Sequence, residues 1–275
     1  MSDESYRIID IFRVVRNAES KFIRALPRFA VNIIREFIHE DDMNLVIFHN
    51  RDKSGVPFID SVLNEWKVKV DITGDENIPP SGRFIFVANH PVGAMDSLAF
   101  FSMIYRHFPD VVSPSNEMLN HIPNLRPILL GINVFGRNTR ETIEKLNELF
   151  NSDTQIMIFP SGEVSRRKKG IISDPVWQKT FITKAVDYKR DVIPVHISGR
   201  NSSLFYFIAN LRKSLGIKMY IETLLLPREM IKQRNSTFKL TVGKVIPYQT
   251  FNGTKTHHEW AQEVKSLTCS LPEDQ

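Results

Sequence analysis

Short apolar runs alternate with longer segments of helical periodicity from about residue 67 to residue 242. Apolar or alternating runs of about four to eight residues are typical of strands, and apolar positions at i, i+3, i+4 and i+7 are typical of helices. The predicted strands lie at 67–72, 83–88, 110–114, 155–159, 191–197, 218–223 and 238–242. The predicted helices between them lie at 97–107, 139–150, 177–188 and 202–215. This alternation predicts an α/β fold with a mixed, largely parallel sheet flanked by helices.

The N-terminal part of the chain, residues 5 to about 40, has helical periodicity without strand-like runs. Pro27 is expected to break or kink this segment. Six basic and two acidic residues lie between positions 7 and 28. Such a helix can lie in a bilayer interface, or it can pack its apolar face on the core and leave its basic face in solvent. We therefore divide the chain into an N-terminal helical segment, 1–60, that is a candidate for membrane-surface contact, and an α/β domain, 61–275.

Composition and charge narrow the class of protein. Of the 275 residues, 42% are apolar and 24% are charged, which is ordinary for a folded domain. The formal net charge of +5 suits an anionic partner such as a membrane surface, a phosphate or an acidic carrier protein, and is too small to indicate nucleic-acid binding. A single cysteine, Cys269, together with the lack of a secretory signal or an apolar span, predicts a cytoplasmic protein. No metal or other cofactor is expected, because no His, Cys and carboxylate cluster has metal-ligand spacing.

The first chemical candidate is the pair His90 and Asp96, which lies where the predicted strand 83–88 ends in a turn containing Pro91 and Gly93. A carboxylate that accepts from one imidazole nitrogen fixes the tautomer and makes the other nitrogen a better base. The pair would then serve as a general base and its orienting group, with the nucleophilic hydroxyl supplied by the substrate. The alternative is a histidine at a strand end beside an aspartate that caps a helix.

Three further blocks also lie at the ends of apolar runs. Ser161, Gly162 and Glu163 follow the strand 155–159, and the turn they form could present backbone N–H groups to an oxyanion or phosphate. The basic run 166–169 comes next. The alternative to an anion-binding turn is a loop whose basic residues are simply solvated. Arg137 follows the segment 131–136, which has the glycine spacing of a phosphate loop but lacks the Lys-Ser/Thr that a nucleotide site needs. His196 alternates with apolar neighbours, which favours a core or supporting role.

The order of these blocks resembles the glycerolipid acyltransferase superfamily, which includes lysophosphatidate and glycerol-3-phosphate acyltransferases. The resemblance covers roughly residues 65–250 and is closest to the bacterial branch of hemolysin-like and lyso-aminolipid O-acyltransferases. The blocks that carry it are Asn-His-Pro-Val-Gly-Ala-Met-Asp at 89–96, Phe-Pro-Ser-Gly-Glu-Val-Ser-Arg at 159–166 and Val-Ile-Pro-Val at 192–195. Five residues separate His90 from Asp96 where the superfamily more often has four, and Ser161 stands where most relatives carry Glu.

The resemblance implies specific roles for these residues. His90 would be the general base and Asp96 the residue that orients it. Asn89, Arg137, Ser161, Gly162, Glu163 and Arg166 would contact the substrate, with Arg137 holding the anionic head of the acceptor and Arg166 as the next candidate for that role. Backbone N–H groups near Gly162 would stabilise the oxyanion.

The activity that the resemblance implies is transfer of a fatty acyl group to a hydroxyl of a lyso-lipid or glycerol-phosphate acceptor in membrane lipid biosynthesis. The donor would be an acyl carrier protein or coenzyme A thioester, and no cofactor is needed beyond that co-substrate. The enzyme would be peripheral, on the inner face of the cell membrane. A non-catalytic lipid-binding or membrane-recruitment protein and an acyl-thioesterase are the alternatives. The acceptor head group stays open.

Overall fold

The structure is a computed structural model, and it describes residues 7–17, 20–133, 138–216 and 220–271. Five helices precede the first strand: α1 (Ile11–Arg16), α2 (Lys21–Arg24), α3 (Arg28–Phe37), α4 (Glu40–His49) and α5 (Gly55–Glu65). Pro27 lies immediately before α3, where its fixed φ suits a helix start, so the predicted break in the N-terminal segment is confirmed. The division predicted at residue 60 falls inside α5, whose apolar side chains pack with those of the sheet, and it stays a prediction.

Seven strands form one sheet. In chain order the main elements are β1 (Lys69–Thr73), β2 (Phe84–Ala88), α6 (Ala94–Tyr105), β3 (Val111–Asn116), β4 (Leu129–Ile132), α7 (Arg140–Asn151), β5 (Gln155–Ile158), β6 (Arg166–Lys168), β7 (Ile171–Ser173), α8 (Thr180–Tyr188), β8 (Asp191–Ile197), α9 (Ser203–Ser214), α10 (Leu226–Ile231), β9 (Thr237–Val242) and α11 (His257–Cys269). The strand order is β1-β9-β8-β2-β5-β3-β4, and only the β8/β9 pair is antiparallel. The predicted mixed, largely parallel α/β fold is therefore confirmed.

The central strand β2 is buried along its whole length because both faces of the sheet are covered. Phe86 and Ala88 face a core that α5 and α6 complete, whereas Ile85 and Val87 face a second core built with α8 and α11. β5 and β8 flank β2 and run parallel to it. The loops that follow these three strands consequently meet at one edge of the sheet, where α/β folds place their sites.

The side chain of Arg190 holds the start of β8 against the C-terminal end of α7. Its fully buried guanidinium donates to the carbonyl oxygens of Phe150 (2.8 Å) and Thr154 (2.9 Å), and also bonds the carbonyls of Leu149 and Ser152. Burial lowers the pKa of Arg190 to about 10. Because these carbonyls lie at or just beyond the C-terminus of α7, Arg190 satisfies groups that the helix leaves without a partner.

Two differences from the predicted elements concern local chain geometry. The strand predicted at 218–223 is wrong for its described part, because Ile221–Leu225 forms a 3-10 helix that leads directly into α10. The short strand β4 and the antiparallel hairpin β6/β7 were not predicted. The hairpin follows the loop after β5 and carries three residues of the basic run 166–169.

Among the described residues, no helix combines the length and the apolar content needed to cross a bilayer.

Candidate active site

The turn after β2 brings His90 and Asp96 together. Nδ1 of His90 lies 3.1 Å from Oδ1 of Asp96, whose side chain is fully buried. The other carboxylate oxygen of Asp96 accepts the backbone N–H groups of Val92 (2.8 Å) and Gly93 (3.0 Å). Gly93 precedes α6 at φ 116°, a backbone conformation that favours glycine. Asp96 therefore lies in the first turn of α6, as the third helical residue rather than the cap itself, and reaches back across the five-residue spacing to the imidazole.

The imidazole of His90 is held on one side and open on the other. Its ring stacks on Phe159, with 4.0 Å between ring centroids, and its side chain retains 16% exposure. Because Nδ1 lies at ion-pair distance from the carboxylate, a proton on the ring is favoured at Nδ1, which leaves the lone pair on Nε2. Burial lowers the pKa of His90, but the charge and hydrogen bond of Asp96 and the charge of Asp174 outweigh it, so that the pKa is raised above its ordinary value. This arrangement can accept a proton at Nε2.

A second carboxylate, Asp174, lies behind the same turn. Both of its oxygens lie 3.2 Å from the backbone nitrogen of His90, which donates to them. Ser165 Oγ and the indole Nε1 of Trp177 also donate to it, at 2.5 and 3.0 Å. Sequence reasoning missed Asp174, because it lies 84 residues from His90 and follows a hairpin that was not predicted.

The loop after β5 folds back on itself. The Gly162 N–H donates to the carbonyl of Phe159 (3.0 Å), and the buried Ser161 hydroxyl donates to the carbonyl of Glu163 (2.7 Å). Gly162 has φ 65°, as a tight turn requires. The turn itself uses the N–H of Gly162, and an oxyanion site made by backbone N–H groups near Gly162 stays a prediction.

Arg166 lies in a partly buried network of charges beside the His90 turn. Its Nη2 is 3.1 Å from Glu163 and 3.2 Å from Glu222, a carboxylate with no exposed side-chain surface. Arg212 Nε lies 2.8 Å from the other oxygen of Glu222, and the Tyr220 hydroxyl donates to Glu163 (3.0 Å). Glu163 raises the pKa of Tyr220 through this bond. Sequence reasoning found Glu163 and Arg166 but missed their partners on α9 and in the 3-10 helix.

One donor of this network is left over. Within the part of the chain that the structure describes, the buried Nη1 of Arg166 has no hydrogen-bond partner. Arg166 follows Ser165, whose backbone N–H donates to the carbonyl of His90 (2.7 Å), and the positive charge of Arg166 lowers the pKa of His90. The alternative of a solvated charge run therefore holds for Arg167 and Lys168, which are exposed, and not for Arg166.

Comparison with known proteins gives the family of the chain. A family profile described as "Acyltransferase" matches residues 13–271. The chain belongs to this acyltransferase family.

Similar proteins cover the whole chain. A protein of Bacteroides thetaiotaomicron named lyso-glycine lipid O-acyltransferase is 39% identical over 272 residues, which are 98% of this chain and 100% of that protein. A protein of the same name from Phocaeicola vulgatus is 40% identical, over 98% of each chain. A 1-acyl-sn-glycerol-3-phosphate acyltransferase of Borreliella burgdorferi is 29% identical over 56% of this chain and 60% of its own length. The predicted membership of the lyso-aminolipid branch and the prediction of an O-acyltransferase are confirmed.

Two further residues that were predicted to contact the substrate are Asn89 and Arg137. The side-chain amide of Asn89 donates to the carbonyl of Ile197 (2.8 Å) and accepts the N–H of the same residue (2.7 Å). Asn89 therefore ties the end of β2 to the end of β8, and contact with the substrate stays a prediction. Arg137 lies outside the described residues. His196 is half-buried in β8 and is paired in register with Thr241 of β9, and its core or supporting role stays a prediction.

Proposed function

We propose that this acyltransferase moves a fatty acyl group from a thioester of acyl carrier protein or coenzyme A to a hydroxyl of a lyso-lipid, with His90 as the general base. One observation carries the proposal: a partly exposed imidazole is fixed through Nδ1 by a fully buried carboxylate at the carboxyl end of the central strand. This leaves Nε2 as the basic atom of the turn.

The proton and the acyl group move in a balanced sequence. Nε2 of His90 accepts the proton of the acceptor hydroxyl while the hydroxyl oxygen forms a bond to the thioester carbonyl carbon. The carbon–sulfur bond then breaks, and the imidazolium returns the proton to the sulfur, so that an ester and a free thiol leave. Asp96 stabilises the imidazolium that forms between these steps, because its carboxylate lies 3.1 Å from Nδ1.

The acceptor is a lyso-glycine lipid in this proposal. Two full-length relatives carry that substrate class in their names. A glycine head group ends in a carboxylate, which matches the planar donor fork of an arginine. Arg166 supports this choice, because its Nη1 is buried, has no partner within the described residues and lies near His90. Glu163 and Glu222 hold the other side of the guanidinium in place.

The membrane surface is the place where a lyso-lipid would be met, and two exposed apolar surfaces support peripheral binding there. On α3, Phe29 and Ile33 are 68% and 61% exposed, four residues apart on one helical face. The exposed arginines at 13, 16, 24 and 28 line a cavity of about 790 Å³, to which α3 also contributes Val31 and Asn32. Large apolar side chains flanked by arginines are typical of helices that rest on an anionic bilayer. We call this surface the α3 face, defined by Phe29, Ile33 and these four arginines.

The second surface lies beside the candidate site itself. Phe207 and Leu211 on α9 and Ile171 on the hairpin are exposed, together with the basic residues Arg167 and Lys168. Asn210 of α9 bonds the carbonyl of Arg167 (3.2 Å), which joins the helix to the hairpin. The opposite face of α9 carries the buried Phe205, whose ring lies 5.5 Å from the guanidinium of Arg166. A bilayer on this surface would present lipid head groups next to Arg166.

A product analysis tests the reaction. Purified protein is incubated with an acyl-coenzyme A or acyl-carrier-protein thioester and either lyso-glycine lipid or lysophosphatidate, and free thiol and lipid products are quantified together. We expect one diacylated glycine lipid per thiol released, and little product from lysophosphatidate. Thiol release with free fatty acid as the product would identify a thioesterase instead. Diacylation of lysophosphatidate at an equal rate would overturn the acceptor assignment but not the acyl transfer.

A further inference from the structure

The Asp174 carboxylate is the most heavily bonded acidic group near the His90 turn. It is 5% exposed and accepts hydrogen bonds from the backbone of His90, the hydroxyl of Ser165 and the indole of Trp177. The Lys265 ammonium donates to the backbone carbonyls of Asp174 (2.8 Å) and Pro175 (3.0 Å) rather than to this carboxylate. Within the described ranges, no basic side chain lies within salt-bridge distance of the Asp174 carboxylate, so its charge is held by neutral donors.

Asp174 and Ser165 together hold the peptide groups on both sides of the His90 Cα. The backbone nitrogen of His90 donates to Asp174 (3.2 Å), and the backbone nitrogen of Ser165 donates to the carbonyl of His90 (2.7 Å). The hydroxyl of Ser165 also donates to Asp174 (2.5 Å), so these two residues are bonded to each other as well as to the His90 backbone. The loop after β5 is thereby joined to the turn after β2 through one carboxylate. Asp174 is therefore the side chain that holds the backbone N–H of His90, while the Ser165 N–H holds its carbonyl.

From this geometry we infer that Asp174 is a positioning residue for acyl transfer, which fixes the His90 backbone and adds a second negative charge behind the imidazole. The inference rests on the proposed role of His90 as the base. The charge of a carboxylate this close favours the imidazolium that forms when His90 takes the acceptor proton. Asp96 would thus act through the ring, and Asp174 through the backbone and through space.

The charges around the two groups agree in sign with this role. Asp96 and Asp174 raise the pKa of His90, whereas burial and Arg166 lower it. α11 contributes Lys265 and Cys269 near Asp174. The pKa of the Cys269 thiol is raised, mainly by burial and then by the charge of Asp174. The free-base form of His90 is the active one, so kcat/KM falls as the pH drops through the raised pKa.

The test is the pH profile of kcat/KM for Asp174→Asn beside Trp177→Phe. Asp174→Asn removes the charge, so we expect the acid limb to move down by about half a unit to one unit, together with a lower kcat. Trp177→Phe removes one donor to Asp174 but keeps its charge, and should leave the limb in place. Asp96→Asn is the positive control and should move the limb further, because it removes both a charge and a ring contact. A folded Asp174→Asn with the wild-type limb, or an equal shift in Trp177→Phe, would overturn the inference.

A second variant covers the case in which Asp174→Asn does not fold. Ser165→Ala removes the hydroxyl from Asp174 but leaves its own N–H bond to His90. We expect kcat to fall several-fold with the limb unchanged, and a wild-type kcat would overturn the positioning role. Full activity in His90→Ala would instead remove the proposed function itself. An inactive His90→Ala beside unaffected Asp174 and Ser165 variants would contradict this inference alone.

Discussion

At the scale of single residues, the imidazole of His90 lies between two carboxylates and one guanidinium. Burial alone would lower the pKa of His90 and favour the neutral ring. The two carboxylates reverse that direction, whereas Arg166 opposes them. A raised pKa makes Nε2 a better acceptor for the proton of the acceptor hydroxyl, and the imidazolium then gives that proton to the leaving thiolate. The same Arg166 that lowers the proton affinity is the proposed acceptor contact.

Arg166 carries the residue-scale prediction. Arg166→Lys should raise the KM for the acceptor. The planar guanidinium of Arg166 contacts Glu163 and Glu222 through Nη2 and keeps Nη1 for the acceptor, whereas the ammonium of lysine is a point charge without this fork. A lost charge-assisted hydrogen bond is worth about 1.5–3 kcal/mol, or roughly ten-fold to a hundred-fold in KM. Steady-state kinetics that vary each substrate in turn measure this change. The matched control is the neighbouring exposed Arg167→Lys, which should leave both KM values unaltered.

The KM for the thioester separates binding of the acceptor from general damage to the site. If Arg166→Lys raises both KM values equally, the residue supports the fold of the network and not the acceptor. An unchanged acceptor KM would return the head-group role to Arg137.

Sequence reasoning reached His90 and Asp96 because they share one turn, where a short spacing fixes their distance. It could not reach Asp174 or Glu222, whose contacts with His90 and Arg166 depend on how distant loops meet. The role of Gly162 shows the converse: the residue was found, but the partner of its N–H depends on how tightly the turn closes.

At the scale of elements, the parallel strands β2, β5 and β8 deliver the site. Their apolar runs are long enough to be predicted as strands, and six of the seven predicted strands are present. The strand predicted at 218–223 is wrong for its described part, because a short apolar segment has the same hydrophobic pattern in a strand and in a helical turn. Here Pro227 in the first turn of α10 and the packing of Ile221–Leu225 on α9 favour the helical form.

Of the elements that sequence reasoning missed, the hairpin β6/β7 matters most for the site. Its strands have three residues each, and the basic run 166–169 reads as a loop. The hairpin positions Arg166 in the charged network, and the chain leaving it delivers Asp174 to the His90 turn. Periodicity does not detect strands this short, because fewer than about four residues cannot show an alternation.

At the scale of the whole molecule, the two exposed apolar surfaces suggest how the enzyme would approach a bilayer. The α3 face is linked towards the site through Phe37, whose ring lies 4.6 Å from the guanidinium of Arg228 on α10. α10 in turn lies against the His90 turn, since a Cβ on Gly93 would be 3.2 Å from Leu226. This chain of contacts connects the proposed membrane contact to the His90 turn.

Vesicle binding tests this arrangement. We expect the protein to sediment with anionic vesicles and to be released by high salt, because each basic residue near such a surface contributes about 1 kcal/mol that salt screens. The double variant Phe29→Ser/Ile33→Ser should weaken binding, since it removes exposed apolar area from the α3 face. The matched control is Ile143→Ser/Leu267→Ser, on helices that cover the other face of the sheet, which should bind as the wild type does. Equal losses in both double variants, or no binding by the wild type, would refute the α3 face.

The turnover of purified His90→Ala is the most direct measurement of the central claim, that the His90–Asp96 pair performs base catalysis of acyl transfer. It is made at saturating thioester and acceptor, after circular dichroism and thermal unfolding show a wild-type fold. The account predicts a loss of about 10²–10⁴-fold, the usual contribution of a positioned general base, with substrate binding retained. Near-wild-type turnover by a folded His90→Ala would contradict it.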